Sequence, residues 1–150
     1  MYTPGKDMLS EIFPLRLSNS FSDIIKASDE DIEWLYSQDA ETVIQNWIKD
    51  TYKIVLLTKG SEGTSLYRGN QRVEVSARKI TVVDTVGAGD TFIANFLGQL
   101  DDNNQLGPNL EHTSLEDLTT YTRIAGIAAS ITCERAGCEP PSLLETKSLN

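Results

Sequence analysis

The sequence predicts an α/β fold with a largely parallel sheet. Three observations predict it. Helical and strand-like segments alternate along the 150 residues. One strand candidate, Ile54-Val55-Leu56-Leu57, is apolar without interruption, which suits a strand covered by helices on both faces. Finally, the turn Gly87-Ala88-Gly89-Asp90 stands between an extended segment and an amphipathic pattern, so the chain passes there from strand-like to helical periodicity.

Residues 1–17 carry Pro4 and Pro14 and only weak periodicity (Leu9, Ile12, Phe13, Leu17), and read as a loop entering a short helix. Residues 22–27 read as a short buried strand. Ser28 then caps a helix, with Asp31 three residues on in a capping-box arrangement and Ile32, Leu35 and Tyr36 as its apolar residues. Residues 40–49 form a second helix with Val43, Ile44, Trp47 and Ile48 on one side.

The apolar strand covers 52–58 and ends in a turn, 58–63, that holds two glycines, Gly60 and Gly63. Residues 64–67 and 72–75 are short strands joined as a hairpin through Arg68-Gly69-Asn70-Gln71. Residues 79–84 lead into the Gly87–Asp90 turn. From Ile93 the apolar residues Ile93, Phe96, Leu97 and Leu100 fall at i, i+3, i+4 and i+7, one face of a helix.

A polar loop, 101–113, breaks at Gly107-Pro108. Ser114 caps the last long helix, with Asp117 three residues on, and the helix runs to about Cys133. It is crowded with small residues (Ala125, Gly126, Ala128, Ala129, Ser130), which let a backbone or a flat ligand approach closely. A turn over 134–141 and a polar tail complete the chain.

Composition narrows the function. A net charge of −9 argues against nucleic acid and anionic membrane as partners. It leaves room for an anionic nucleotide held locally by amides and a metal. No secretory leader and no membrane-spanning run is legible. Cys133 and Cys138 are spaced C-x4-C, neither a metal nor a redox spacing, so reduced thiols in the cytoplasm are expected. His112 lies in a polar linker and reads as a solvated side chain.

The turn carries the chemistry. The first-turn amides of its helix, over Gly87 to Asp90, point outward and make an anion site. Asp90 adds a carboxylate able to accept a proton. Amides for a phosphate beside such a carboxylate are what phosphoryl transfer to an alcohol requires. Taken alone, G-x-G-D is a weak signal and reads first as a structural strand-to-helix turn with a first-turn carboxylate favoured by the helix dipole. A Walker A loop is excluded, because no G-x-x-x-x-G-K-[ST] occurs, and the third glycine of a dinucleotide fingerprint is absent.

The longer stretch DTVGAGDTF, Asp84 to Phe92, resembles the second signature of the ribokinase-like, PfkB-type carbohydrate kinases. TKGSEG (58–63), CERAGCEPP (133–141) and the fructokinase-like segment SDIIKASDEDIEWL (22–35) resemble the same family in the same order. The resemblance implies an ATP-dependent sugar kinase within the C-terminal portion of a three-layer α/β/α fold. By the family pattern Asp90 is the catalytic base, and Gly87, Ala88 and Gly89, with the Asp90 amide, are the anion hole. Thr58, Gly60 and Gly63 match nucleotide-contacting positions. Gly126 stands where many members have Asn or His near the adenine.

Asp84, Val86, Thr132, Arg135 and Gly137 match positions that hold a monovalent cation such as K⁺ in some members. Ser28 to Asp31 matches a segment linked to Mg²⁺ and phosphate, although Asp31 is shorter than the usual Glu and the pair reads equally as a capping box. The resemblance covers one half of the family's fold. The glycine pair, the β lid and most sugar-reading positions belong to the other half. The expectation is a single incomplete domain over 1–150, with a small-molecule sugar as substrate and a homodimer or a complementing N-terminal half as partner. Fructose is the favoured sugar, with ribose, 2-keto-3-deoxygluconate and nucleosides as alternatives. A non-catalytic nucleotide-binding module is the alternative function.

Overall fold

The computed structural model describes residues 22–48 and 54–149. The expected loop and short helix over 1–17 lie outside them. The elements run β1 (Ile24–Ser28), α1 (Asp29–Tyr36), α2 (Ala40–Ile48), β2 (Ile54–Thr58), β3 (Thr64–Arg68), β4 (Gln71–Val75), α3 (Ala88–Asp102), α4 (Leu115–Cys133) and α5 (Leu143–Ser148).

The four strands form one sheet in the order β1-β2-β3-β4. β1 and β2 are parallel, with Ile24 opposite Ile54 and Ser28 opposite Thr58. A parallel pair needs a long crossover, and α1 and α2 provide it. β3 and β4 add antiparallel neighbours through the expected hairpin, so the described sheet is mixed, with its parallel part at β1 and β2. The hairpin turn is Gly69-Asn70, with Gly69 at φ +52°.

The uninterrupted apolar run of β2 has the cause expected of it. Val55 and Leu57 enter one core with Ile25, Ile32, Val43, Ile44, Ile48 and Tyr67, on the α1–α2 side. Ile54 and Leu56 enter a second core with Leu66, Phe92, Phe96, Leu100, Leu118 and Ala125, on the α3–α4 side. Alternate side chains of one strand therefore serve opposite layers. Burying each large aliphatic side chain stabilises the fold by roughly 1.5–3 kcal/mol. The result is the three-layer α/β/α arrangement.

Two helix details differ from the sequence expectation. α3 begins five residues before Ile93, and its buried face is Phe92, Phe96 and Leu100, spaced i, i+4, i+8. Leu97 is 37% exposed, and Ile93 is only partly buried against the core. The face turns because Thr91 and Phe92, already helical, are the first residues to pack. The polar tail also contains a helix, α5. Ser142 and Glu145 make a full capping box for it, with side chain and backbone each satisfying the other.

The α3–α4 contact explains the small residues of α4. Ala125 and Ala128 are fully buried, and Thr132 one turn on meets Thr91 of α3, so small residues line this stretch of the contact. Ser114 accepts the Asp117 amide at 3.0 Å and starts α4 as expected.

Candidate functional site

The turn before α3 is held by close packing. Gly87 has φ +78°, and a β-carbon there would lie 2.1 Å from Cys138 Sγ. Only glycine fits, on both conformational and steric grounds. The Gly87 carbonyl accepts the Thr91 amide at 2.9 Å, and the Ala88 amide folds back onto the Thr85 carbonyl at 3.2 Å. Of the expected anion-hole residues, Ala88 is thus part of the turn but not a free donor. The amides of Gly87, Gly89 and Asp90 have no hydrogen-bond partner among the described residues. The Asp90 carboxylate is exposed in the same helical turn.

Asp84 braces this turn from below. Its Oδ1 accepts the Val86 amide at 3.0 Å and its Oδ2 accepts the Gly137 amide at 2.9 Å. These amides, Val86 first and Gly137 second, hold its carboxyl below the usual 3.8. The amides of Val83 and Asp84 both donate to the Cys133 carbonyl, at 2.8 and 3.2 Å. The segment before α3 is therefore stitched to the segment after α4. No strand forms over 76–85 among the described residues, so these bonds replace a sheet ladder.

Of the five expected cation residues, Asp84, Val86 and Gly137 converge. Thr132 is fully buried and turns its hydroxyl to Thr91 Oγ1 and the Ala128 carbonyl, each at 3.2 Å, inside the α3–α4 contact. Arg135 donates to the Glu139 and Pro140 carbonyls, both at 3.3 Å, and pairs with Glu145 of α5. Arg135 thus fixes the turn between α4 and α5. Both oxygens of the Asp84 carboxylate are thus engaged by main-chain amides. Among the described residues no three His, Cys, Asp or Glu side chains converge as a metal cage.

The expected nucleotide positions lie at the carboxyl end of β2. Thr58 Oγ1 donates to the Ala27 carbonyl of β1 at 3.3 Å, tying the ends of the parallel pair together. The loop beyond it is a compact 3₁₀ turn, closed by Lys59 N–H to Gly63 O at 2.8 Å and Gly63 N–H to Gly60 O at 3.2 Å. Gly63 has φ +104°, and a β-carbon there would stand 2.1 Å from the Val75 carbonyl oxygen. Gly126, on α4, is different: a β-carbon there would meet nothing within 4 Å.

Ser28 ends β1 opposite Thr58 in register, and Asp31 lies in the first turn of α1 just beyond it. Ser28 Oγ accepts the Asp31 amide at 3.1 Å, so the pair caps α1. The Asp31 carboxylate makes no return bond to Ser28 among the described residues and is exposed. Both loops thus share the edge of the sheet where α/β folds bind their ligands.

Two residues escaped the sequence reading. Lys26, in the middle of β1, brings its ammonium 2.9 Å from where a β-carbon on Gly89 would be. The signal was a single lysine inside an apolar strand. Glu74 of β4 pairs with Lys59 at 2.8 Å and with Arg72 at 2.6 Å, and accepts the Ser65 hydroxyl at 2.8 Å. Partial burial raises the Glu74 pKa, but the bonds from Lys59, Ser65 and Arg72 outweigh it and hold the carboxyl at about 2. No motif marks Glu74, because its role depends on cross-strand pairing.

Comparison with known proteins gives three findings. The family described as pfkB family carbohydrate kinase matches residues 12–146. A fructokinase of Rhizobium leguminosarum bv. trifolii is 42% identical over 106 residues, which is 69% of this chain and 32% of that enzyme. The chain thus spans about a third of the length of that relative. Among solved structures, ribokinase from Giardia lamblia superposes with a TM-score of 0.74 at 21% identity, covering 88% of this chain and 45% of that one. Fructokinase from Vibrio cholerae O395, in its form with fructose, ADP and calcium ion bound, gives 0.68 at 22% identity, over 83% of this chain and 38% of that one.

Proposed function

The chain belongs to the pfkB family of carbohydrate kinases, and on that footing we propose that it is the nucleotide-binding and catalytic half of a fructokinase-like enzyme. The reaction moves the γ-phosphoryl group of ATP to a sugar hydroxyl. The observation that carries the reading is the Asp90 carboxylate standing in one helical turn with the partner-free amides of Gly87, Gly89 and Asp90.

In this reading Asp90 accepts the proton of the attacking hydroxyl. The amides hold the moving phosphoryl group, on which charge grows in a loose transition state. One fixed donor of that kind is worth roughly 3 kcal/mol. Thr58, Gly60 and Gly63 position the nucleotide, and Gly126 leaves open space for the adenine. Mg²⁺ would supply further charge neutralisation, and the exposed Asp31 carboxylate is the residue that would hold it. Asp84, with main-chain oxygens of Val86, Thr132, Arg135 and Gly137, would hold K⁺.

The remaining parts of the proposal follow from the family. The sugar is fructose, with ribose, 2-keto-3-deoxygluconate and nucleosides behind it, since most sugar-reading positions lie in the other half. The partner is a complementing N-terminal half or a second copy. The compartment is the cytoplasm; among the described residues no helix is long and apolar enough to cross a membrane.

The test is complementation. The 150-residue chain should bind ATP weakly and phosphorylate no sugar at a measurable rate; adding the N-terminal half of a fructokinase should restore turnover. Robust fructose phosphorylation by the chain alone would overturn the division of labour. ATP binding without restored turnover would favour a non-catalytic nucleotide-binding module.

A further inference from the structure

We infer that Glu41 of α2 is a positioning residue for the Lys59–Gly63 loop: by holding the guanidinium of Arg72, it leaves one oxygen of Glu74 to hold Lys59. The inference rests on the kinase reading above, in which that loop contacts the nucleotide, and adds to it a residue that no motif marks.

Strand register brings the groups together. Across the hairpin Tyr67 faces Arg72 and Ser65 faces Glu74. All four stand on the α1–α2 side of the sheet, because Tyr67 packs in that core and residues two apart on a strand share a face. Glu41, in the first turn of α2, meets them there. Its Oε2 accepts the Tyr67 hydroxyl at 2.6 Å and Arg72 Nη1 at 2.9 Å. Arg72 lies over the Tyr67 ring, 5.3 Å from its centroid, and donates Nε–H to Glu74 Oε1 at 2.6 Å. Glu74 Oε2 accepts Lys59 Nζ at 2.8 Å, and the fully buried Ser65 donates its hydroxyl to the same carboxylate.

Glu74 thus serves two cations with one carboxylate. A guanidinium left to itself meets a carboxylate with two parallel N–H groups. Here Glu41 and the Tyr67 ring fix its plane, and it reaches Glu74 through Nε. The other oxygen is left to Lys59, whose backbone N–H closes the loop on the Gly63 carbonyl at 2.8 Å. Without Glu41 the guanidinium can turn and take both oxygens. The Lys59 side chain, only 19% exposed, then loses its counter-charge, and the loop loses its anchor. The competing explanation is a set of independent surface ion pairs, each contributing little. In that case removing Glu41 would leave Lys59 undisturbed, and removing Arg72 as well would mend nothing.

The experiment reads the loop directly, by amide hydrogen exchange of Lys59, Glu62 and Gly63 in the 150-residue chain without nucleotide. All three amides donate within the loop. Glu41→Gln keeps an acceptor for the Tyr67 hydroxyl and removes the charge. It should speed exchange at these amides by about threefold to fivefold, the weight of a half-exposed charge pair, and weaken Mg²⁺-ATP binding in calorimetry by a similar factor. Adding Arg72→Met removes the competitor for Glu74 and should return both readings to near wild type. A lost stabilising contact gives no such recovery, and thermal melts report the stability of each variant alongside. Unchanged exchange in Glu41→Gln, or no recovery in the double variant, overturns the inference and leaves the kinase reading standing. Exchange that rises and recovers while ATP affinity stays constant supports the role of Glu41 and overturns the loop's place in the nucleotide site.

Discussion

Asp84 and Gly137 are 53 residues apart in the chain, yet the Gly137 amide donates to the Asp84 carboxylate at 2.9 Å. The same carboxylate accepts the Val86 amide, so one side chain fixes the approach to α3 and the exit from α4 together. The position of Asp90 depends on this brace, because Asp90 lies only six residues beyond Asp84 on the same turn.

The brace should be visible in acid. The Asp84 pKa is lowered in the folded chain, by the Val86 amide first, from the ordinary 3.8. A depressed carboxylate adds stability that is fully present above its unfolded pKa and is lost as pH falls through the folded value. Wild type should therefore lose stability below about pH 4, and Asp84→Asn should flatten part of that loss. Urea melts between pH 2 and 6 check it; identical slopes for both proteins would remove Asp84 as a source.

A second acid-sensitive point lies against the Lys59–Gly63 loop, where Glu74 pairs with Lys59. Glu74 sits at about 2 because Lys59, Ser65 and Arg72 donate to it against the opposing effect of burial. Its contribution is present above about pH 4.5 and fades toward pH 2, by the same sign. Glu74→Gln should loosen the Lys59–Gly63 loop and weaken ATP binding while leaving the thermal midpoint within a few degrees. Nucleotide titration and thermal melts separate the two effects. An unaltered ATP affinity would show that the loop stands without this anchor.

Asp90→Asn keeps the shape of the turn and removes the proposed proton acceptor. In a chain completed with its N-terminal half, turnover should fall by about 10²–10⁴-fold, the usual worth of a general base, with ATP binding unchanged. Steady-state kinetics with a direct binding titration check it; surviving turnover would mean that another group takes the proton.

Two glycines should respond in opposite senses. Gly63→Ala meets the Val75 carbonyl oxygen at 2.1 Å and a strained φ of +104°, and should destabilise the chain by about 2 kcal/mol or more. Gly126→Ala meets nothing within 4 Å on α4 and should stabilise it by about 0.5–1 kcal/mol. If the adenine lies against Gly126, the same methyl group should weaken ATP binding. Chemical denaturation and nucleotide titration of both variants check this pair.

The sequence made most of this legible where one residue type had one physical reason to be there. Ile54 to Leu57 read as doubly covered because both faces of β2 are buried. Ser28 and Ser114 read as caps because a hydroxyl before an apolar run has an amide to accept, and both do so. What was not legible depended on neighbours distant in sequence. The apolar spacing from Ile93 points to a different face of α3 because Phe92, inside the turn motif, is the first large core residue of the helix. α5 was passed over although Ser142 and Glu145 carry a capping box, because its short apolar pair, Leu143 and Leu144, is exposed. Ala88 looked like a free donor until the turn placed Thr85 in front of its amide. Lys26 reads in the sequence only as a charge in a strand, because its neighbour Gly89 is distant in the chain.

The alternation along β2 has one further meaning, for how such a protein can change. Val55 and Leu57 belong to the layer of α1 and α2, while Ile54 and Leu56 belong to the layer that supports Asp90. Substitutions that accumulate in the first layer leave the packing beneath the Gly87–Asp90 turn intact. The two layers can drift at separate rates, with β2 as the shared boundary, and a lineage could rework its α1–α2 side while inheriting the support of the Gly87–Asp90 turn unaltered.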